Sequence, residues 1–181
     1  MHRLFVALRP PPPVRAALLA ATGGVERARW QDDGQLHLTL RFVGEVDRHA
    51  AADLVAVLGE VTAPAFELTV RGVGHFEKKG KPTALWAALA PCPALEVLER
   101  RVERACRAAG LPPQTRKFVP HVTLARLGGQ SVGMGGWLAV HGDLAAPRWP
   151  VTAFRLYESH MGRGGSVYAS LAEWPLEPAD G

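Results

Sequence analysis

Two histidines, each followed two residues later by a threonine, stand in matching contexts. His37-Leu38-Thr39-Leu40-Arg41-Phe42-Val43-Gly44 and His121-Val122-Thr123-Leu124-Ala125-Arg126-Leu127-Gly128 share His, Thr, Leu and Gly in the same relative places, from 37 to 121, an offset of 84. An imidazole has an ordinary pKa of ~6.5, so near neutral pH it can take a proton or give one. A threonine two residues along an extended strand points the same way as its histidine, and its hydroxyl can donate a hydrogen bond to an anion. The repeat therefore supplies two proton carriers and two hydroxyl donors. One His-x-Thr arises by chance, whereas two in corresponding halves of a short chain form a specific signal. A metal centre is the rival reading of paired histidines, but the repeat brings no carboxylate or thiolate beside them, and threonine is a poor ligand.

The same stretches dictate the elements that carry these groups. Leu36, Leu38, Leu40 and Phe42 alternate with His37, Thr39 and Arg41, which predicts a strand with one core face and one polar face. On an unbroken strand Arg41 points with His37, while Arg126 falls out of phase with His121. Both arginines are candidates for holding an anion. Arg126 joins the histidine face only if a bulge or strand end intervenes between Ala125 and Arg126.

The rest of the chain reads as strands and helices interspersed. Residues 3–8 predict a strand stopped by Pro10 to Pro13, and 14–21 a helix closed by Gly23-Gly24. Asp47 is placed to cap a helix over 48–58. Residues 66–73 alternate as one strand, followed by a turn at 78–82 and a hairpin partner over 83–89. The clearest helix covers 94–109, with Leu95, Leu98, Val102, Ala105 and Ala109 on one face, stopped by Gly110 and Pro112-Pro113. Residues 128–136 read as a flexible connection and 137–144 as ambiguous. Residues 151–157 and 167–171 form a hairpin across the glycine-rich 162–165. Locally paired strands with interspersed helices imply antiparallel sheets in an α+β arrangement, with no linker dividing 1–181 into independent domains.

Composition narrows the function classes. The 181 residues, 48% hydrophobic, can bury one core or two small lobes sharing an interface. No apolar run reaches the roughly 18 residues of a membrane span, and the first residues are too briefly apolar for a signal peptide, so a cytoplasmic protein is expected. Cys92 and Cys106 lack the spacing of a disulfide framework or zinc knuckle. The net charge of +4 comes from scattered arginines and suits an anionic partner only weakly. Lys78, Lys79 and Lys81 read as a solvated turn, and His2, His49, His75, His141 and His160 as structural or surface residues. No glycine-rich stretch ends in the Gly-Lys-Ser/Thr of a phosphate-binding loop. No long apolar stripe or heptad demands a partner, so a monomer is expected.

With the paired motifs in place, the chain resembles the RNA 2′,3′-cyclic phosphodiesterases, also called the 2′-5′ RNA ligase family, within the 2H phosphoesterases. The resemblance runs through Arg3-Leu4-Phe5-Val6-Ala7, His37 to Glu45, Gly72-Val73-Gly74-His75-Phe76, Leu85-Trp86-Ala87, Phe118 to Arg126 and Leu156-Tyr157-Glu158-Ser159. It implies two lobes related by a pseudo-twofold axis, each giving one His-x-Thr strand to a shared cleft lined by antiparallel sheets, with helices outside. It also implies hydrolysis of RNA 2′,3′-cyclic phosphate ends to 2′-phosphates, with no metal or other cofactor. His121 is then the base toward water and His37 the acid toward the leaving ribose oxygen. Thr39, Thr123 and Arg126 contact the phosphate, and Arg41 remains a further candidate. Related activity on a small cyclic nucleotide or an ADP-ribose cyclic phosphate is one alternative; a non-catalytic module that binds RNA ends is another. No Lys-x-Asp-Gly is present for covalent adenylation, so any 2′-5′ joining of RNA would be the hydrolytic chemistry run backwards.

Overall fold

Alternating apolar residues, proline breaks and capped helices give ten strands and four helices among residues 1–179, which the computed structural model describes. In chain order they are β1 (His2–Leu8), α1 (Pro12–Ala20), β2 (Arg29–Trp30), β3 (Leu38–Val46), α2 (Arg48–Leu58), β4 (Phe66–Leu68), β5 (Val70–Lys78), β6 (Lys81–Leu89), α3 (Pro93–Ala108), β7 (His121–Arg126), α4 (Met134–Val140), β8 (Trp149–Val151), β9 (Ala153–Gly162) and β10 (Gly165–Pro175). Proline opens α1 and α3, where its missing N–H is no loss. Asp47 caps α2 by accepting a hydrogen bond from the Ala50 amide at 2.8 Å.

One four-stranded sheet runs β10-β9-β1-β3 and a second runs β2-β7-β6-β5, with β4 and β8 forming a two-stranded bridge. All these pairings are antiparallel. The two halves repeat one plan. A strand, a helix, a His-x-Thr strand and a second helix appear as β1-α1-β3-α2 and again as β6-α3-β7-α4. The strands that complete each sheet are exchanged, since β5 from the first half lies beside β6 and β9 from the second lies beside β1. The histidine strands β3 and β7 meet where the sheets face each other. No helix among the described residues is long and apolar enough to cross a membrane.

A continuous core holds the helices against one face of the sheets. Leu4, Val6 and Leu8 of β1 meet Leu18 of α1, Leu54 and Leu58 of α2, and Leu95, Leu98 and Val102 of α3. The amphipathic reading of α3 is thus realised. Burial pushes the Cys106 thiol of α3 up to about 11, where it is inert. The alternate residues of β1, Phe5 and Ala7, join Tyr157 in a small second cluster on the opposite face. That opposite face carries the candidate site.

Three sequence expectations are revised by tertiary contacts. The single strand over 66–73 divides into β4, which pairs with β8, and β5, which pairs with β6. The break falls at Thr69, and inside β5 the register slips at Gly72, whose φ is +79° and where a Cβ would come 3.0 Å from the Gly142 carbonyl oxygen. The ambiguous 137–144 begins inside a helix, α4, anchored where the Trp137 indole donates to the Ala21 carbonyl at 2.8 Å. The flexible connection over 128–136 includes the start of that helix and a bridge between Val132 and Glu26.

Candidate active site

Each histidine is set by the backbone just before its strand. Asp32 and Gln35 form a reciprocal cap around a single 3-10 turn, Asp33–Gln35, that leads into His37. Arg9 clamps this turn, one guanidinium nitrogen donating to the Asp33 and Leu36 carbonyls at 2.6 and 2.7 Å. Gln35 also reaches across to β10, donating to the Ser166 carbonyl at 2.9 Å. The Nδ1 of His37 lies 2.7 Å from the Gln35 carbonyl, and the Nδ1 of His121 lies 2.7 Å from the Val119 carbonyl. A carbonyl only accepts, so each Nδ1 carries the hydrogen and each Nε2 keeps a lone pair for another partner. Two residues of the repeat thus have the same tautomer for the same local reason.

Aromatic rings fix both imidazoles. Phe5 lies 4.7 Å from His37 and Tyr168 meets it edge-on at 5.1 Å. Phe76 meets His121 edge-on at 4.8 Å, and Trp86 lies at 5.7 Å. Gly74 makes room for that indole, because a Cβ there would fall 2.3 Å from the Trp86 ring. Burial lowers both histidine pKa values, that of His37 to about 4. The positive charge of Arg126 pushes both the same way, and His121 and Arg9 add to the effect at His37. His37, His121 and Arg126 therefore lie within electrostatic reach of one another.

Strand bulges decide which arginine stands with the histidines. In β3, Ala7 opposes Thr39 and Val6 opposes Arg41, leaving Leu40 as an extra residue. Directly opposed residues share a face, so Thr39 stands with Ala7 and Phe5 on the histidine side, while Arg41 turns with Val6 toward the core. There Arg41 is 7% exposed. Its Nε donates to Glu103 of α3 at 2.5 Å and its other nitrogens to the Phe42 and Pro112 carbonyls. The expectation that Arg41 points into the cleft is thereby corrected. The same bulge turns out Phe42, which strict alternation places with the core leucines and which is 55% exposed beside Phe5.

The second motif bulges at the equivalent residue. Trp86 opposes Thr123 and Ala84 opposes Arg126, with Leu124 as the extra residue. Ala84, Trp86 and Ala88 alternate on one face of β6, which puts His121, Thr123 and Arg126 together on one face of β7. The required bulge exists, one residue earlier than the sequence suggested. Both threonines are half-buried beside their histidines. Among the described residues no three His, Cys, Asp or Glu side chains converge as metal ligands.

A sequence model of the 2′-5′ RNA ligase superfamily matches residues 10–163. The chain belongs to that superfamily. An RNA 2′,3′-cyclic phosphodiesterase of Thermus thermophilus is 34% identical across 99% of this chain and 92% of its own length. Another, from Aeropyrum pernix, is 32% identical across 78% of this chain and 82% of its own. The apo form of E. coli LigT superimposes with a TM-score of 0.78 at 27% identity, covering 97% of this chain and 98% of that one. The resemblance read from the paired motifs is borne out, as is the α+β fold of this superfamily.

Several site residues escaped the sequence reading. Phe5, Phe76, Trp86 and Tyr168 approach the histidines from neighbouring strands, and Arg9 supports His37 through backbone carbonyls. The available signal was phase, since Phe5 and Trp86 alternate against core residues of their own strands.

The buried imidazoles make stability depend on pH. His37 has a pKa near 6.5 unfolded and about 4 folded, so between those values the unfolded chain binds more protons. Its contribution is present above pH 6.5 and is lost as pH falls toward 4. Urea titrations at pH 7 and pH 4.5 are expected to show a loss of stability that His37→Gln reduces by up to about 3 kcal/mol, at 1.36 kcal/mol per pKa unit. An equal loss in wild type and variant would contradict the assigned burial.

Proposed function

We propose that this protein hydrolyses RNA 2′,3′-cyclic phosphate ends to 2′-phosphates by paired-histidine acid–base catalysis. The observation that carries this reading is the pair of symmetry-related histidines, each held through Nδ1 by a backbone carbonyl and, among the described residues, with no partner on Nε2, beside a bulged-in Arg126. The names of the related proteins point to the same substrate.

In the proposed reaction, water attacks phosphorus while His121 Nε2 takes its proton, and the bond from phosphorus to the ribose 3′ oxygen breaks. His37 Nε2 returns a proton to that oxygen, so the products are a 2′-phosphomonoester and a 3′-hydroxyl. His121 is the more open of the two to solvent, which suits the group that activates water. Burial holds the His37 pKa low, so its role as acid depends on the bound anion stabilising the imidazolium that donates the proton. Thr39 and Thr123 donate to the non-bridging oxygens, where charge accumulates, and Arg126 supplies the cation. Arg41, engaged with Glu103, acts as a structural tie between β3 and α3.

An RNA oligonucleotide ending in a 2′,3′-cyclic phosphate, incubated with the protein in chelator, is expected to yield a 2′-phosphate and a free 3′-hydroxyl. Absence of ring opening, or a 3′-phosphate product, would overturn the proposal. Activity that appears only with added divalent metal would revive the metal reading.

A further inference from the structure

We infer that a basic track beyond Arg126, formed by Arg29, Arg27 and Lys81, receives the internucleotide phosphates upstream of the reacting end. This makes the protein selective for oligonucleotide termini over cyclic mononucleotides. The inference rests on the proposed cyclic phosphodiesterase reading and concerns what lies beyond the reacting phosphate.

The strand register puts the track in line with the site. Arg29 of β2 is directly opposite Arg126 of β7, so both guanidinium groups leave the same face as His121 and Thr123. Like charges directly opposite on a sheet are destabilising. Here nothing on the protein offsets them, because among the described residues no carboxylate forms an ion pair with Arg126, Arg29, Arg27 or Lys81. Most other lysines and arginines also form no ion pair among the described residues, so what sets this group apart is its placement, Arg29 directly opposite Arg126 on the histidine face. An anionic ligand is the component that would relieve this repulsion.

Beyond Arg29 the chain turns at Arg27, just outside the strand, and the track continues there. An open depression of about 580 Å³ is lined by Arg27, Lys81, Gly128, Gly129 and Gln130. Arg27 adds an independent sign, since it holds φ of +61°, a conformation that glycine or asparagine adopts with less strain. Its guanidinium is exposed and oriented by the side-chain oxygen of Gln130. Backbone strain kept at an exposed cation is accounted for if the cation has a ligand.

The test compares uridine 2′,3′-cyclic phosphate with a pentaribonucleotide carrying the same cyclic terminus. Wild type is expected to favour the pentanucleotide in kcat/KM by about tenfold or more. Arg27→Asn combined with Lys81→Ala keeps the backbone conformation and should lose most of that preference through KM, leaving the mononucleotide rate within about twofold. Its kcat/KM for the pentanucleotide should also depend less steeply on salt, by about 1.4 in logarithmic slope for two phosphate contacts on a single strand. Arg29→Gln should lower the pentanucleotide preference yet raise the melting temperature by roughly 1–3 °C, because it removes the repulsion with Arg126. Equal losses on both substrates, an unchanged preference, or a wild type that treats both alike would overturn the inference. If wild type opens neither substrate, the cyclic phosphodiesterase reading itself fails and the inference falls with it.

Discussion

Replacing either His37 or His121 by alanine is expected to lower kcat/KM for ring opening by about 10²–10⁴-fold, the usual contribution of a positioned proton carrier. The imidazoles sit on carbonyls rather than in salt bridges, so the loss should arise without unfolding. Because water activation and leaving-group protonation belong to one displacement, the double variant should be little worse than the poorer single variant. The wild-type pH profile of kcat/KM should be bell-shaped, reporting two macroscopic values of the coupled pair. Both histidine pKa values are lowered by burial and by Arg126, so the bell should be displaced to the acid side of ~6.5. Substrate-saturated rates should peak at higher pH, since a bound phosphate raises both values. A monotonic profile, or an alanine variant at wild-type rate, would remove the acid–base assignment.

The second large effect separates two arginines that look alike in sequence. Arg126→Ala is expected to reduce kcat by about 10²–10³-fold, the range for losing one preorganised group aimed at developing charge. Arg126→Lys should recover part of the rate, because a point charge remains without the planar fork. Removing Arg126 should also raise both histidine pKa values and shift the pH profile toward neutrality. Arg41→Met should do the converse. It strands Glu103, whose other oxygen accepts from the Gln114 amide at 2.8 Å, and should cost about 2–3 kcal/mol, the effect of a broken buried ion pair reduced for partial solvation of Glu103. Urea titration and steady-state rates on both variants check this contrast. A rate loss in Arg41→Met matching that of Arg126→Ala would contradict the bulge geometry.

Much of the chain was legible because its constraints are local. The α3 helix carries its own apolar stripe and stop signals, and α2 its own cap, so both appear within a residue or two of their expected bounds. The His-x-Thr pairs were legible for a different reason. Two His-x-Thr strands in corresponding halves leave a repeat that needs no knowledge of packing to detect.

The sequence by itself determined the two histidines, the two threonines, the antiparallel α+β class and the family. Tertiary structure alone decided the phase of everything after the threonines. A bulge at Leu40 and its counterpart at Leu124 each insert one residue, and a period of two turns that insertion into an exchange of faces. Arg41 went into the core against Glu103, Phe42 came out, and Arg126 joined the histidines. Strand alternation cannot register a bulge, because the extra residue is fixed by pairing with β1 and β6, which are distant in sequence. The aromatic settings of His37 and His121, and the alignment of Arg29 with Arg126, come from the same long-range pairing.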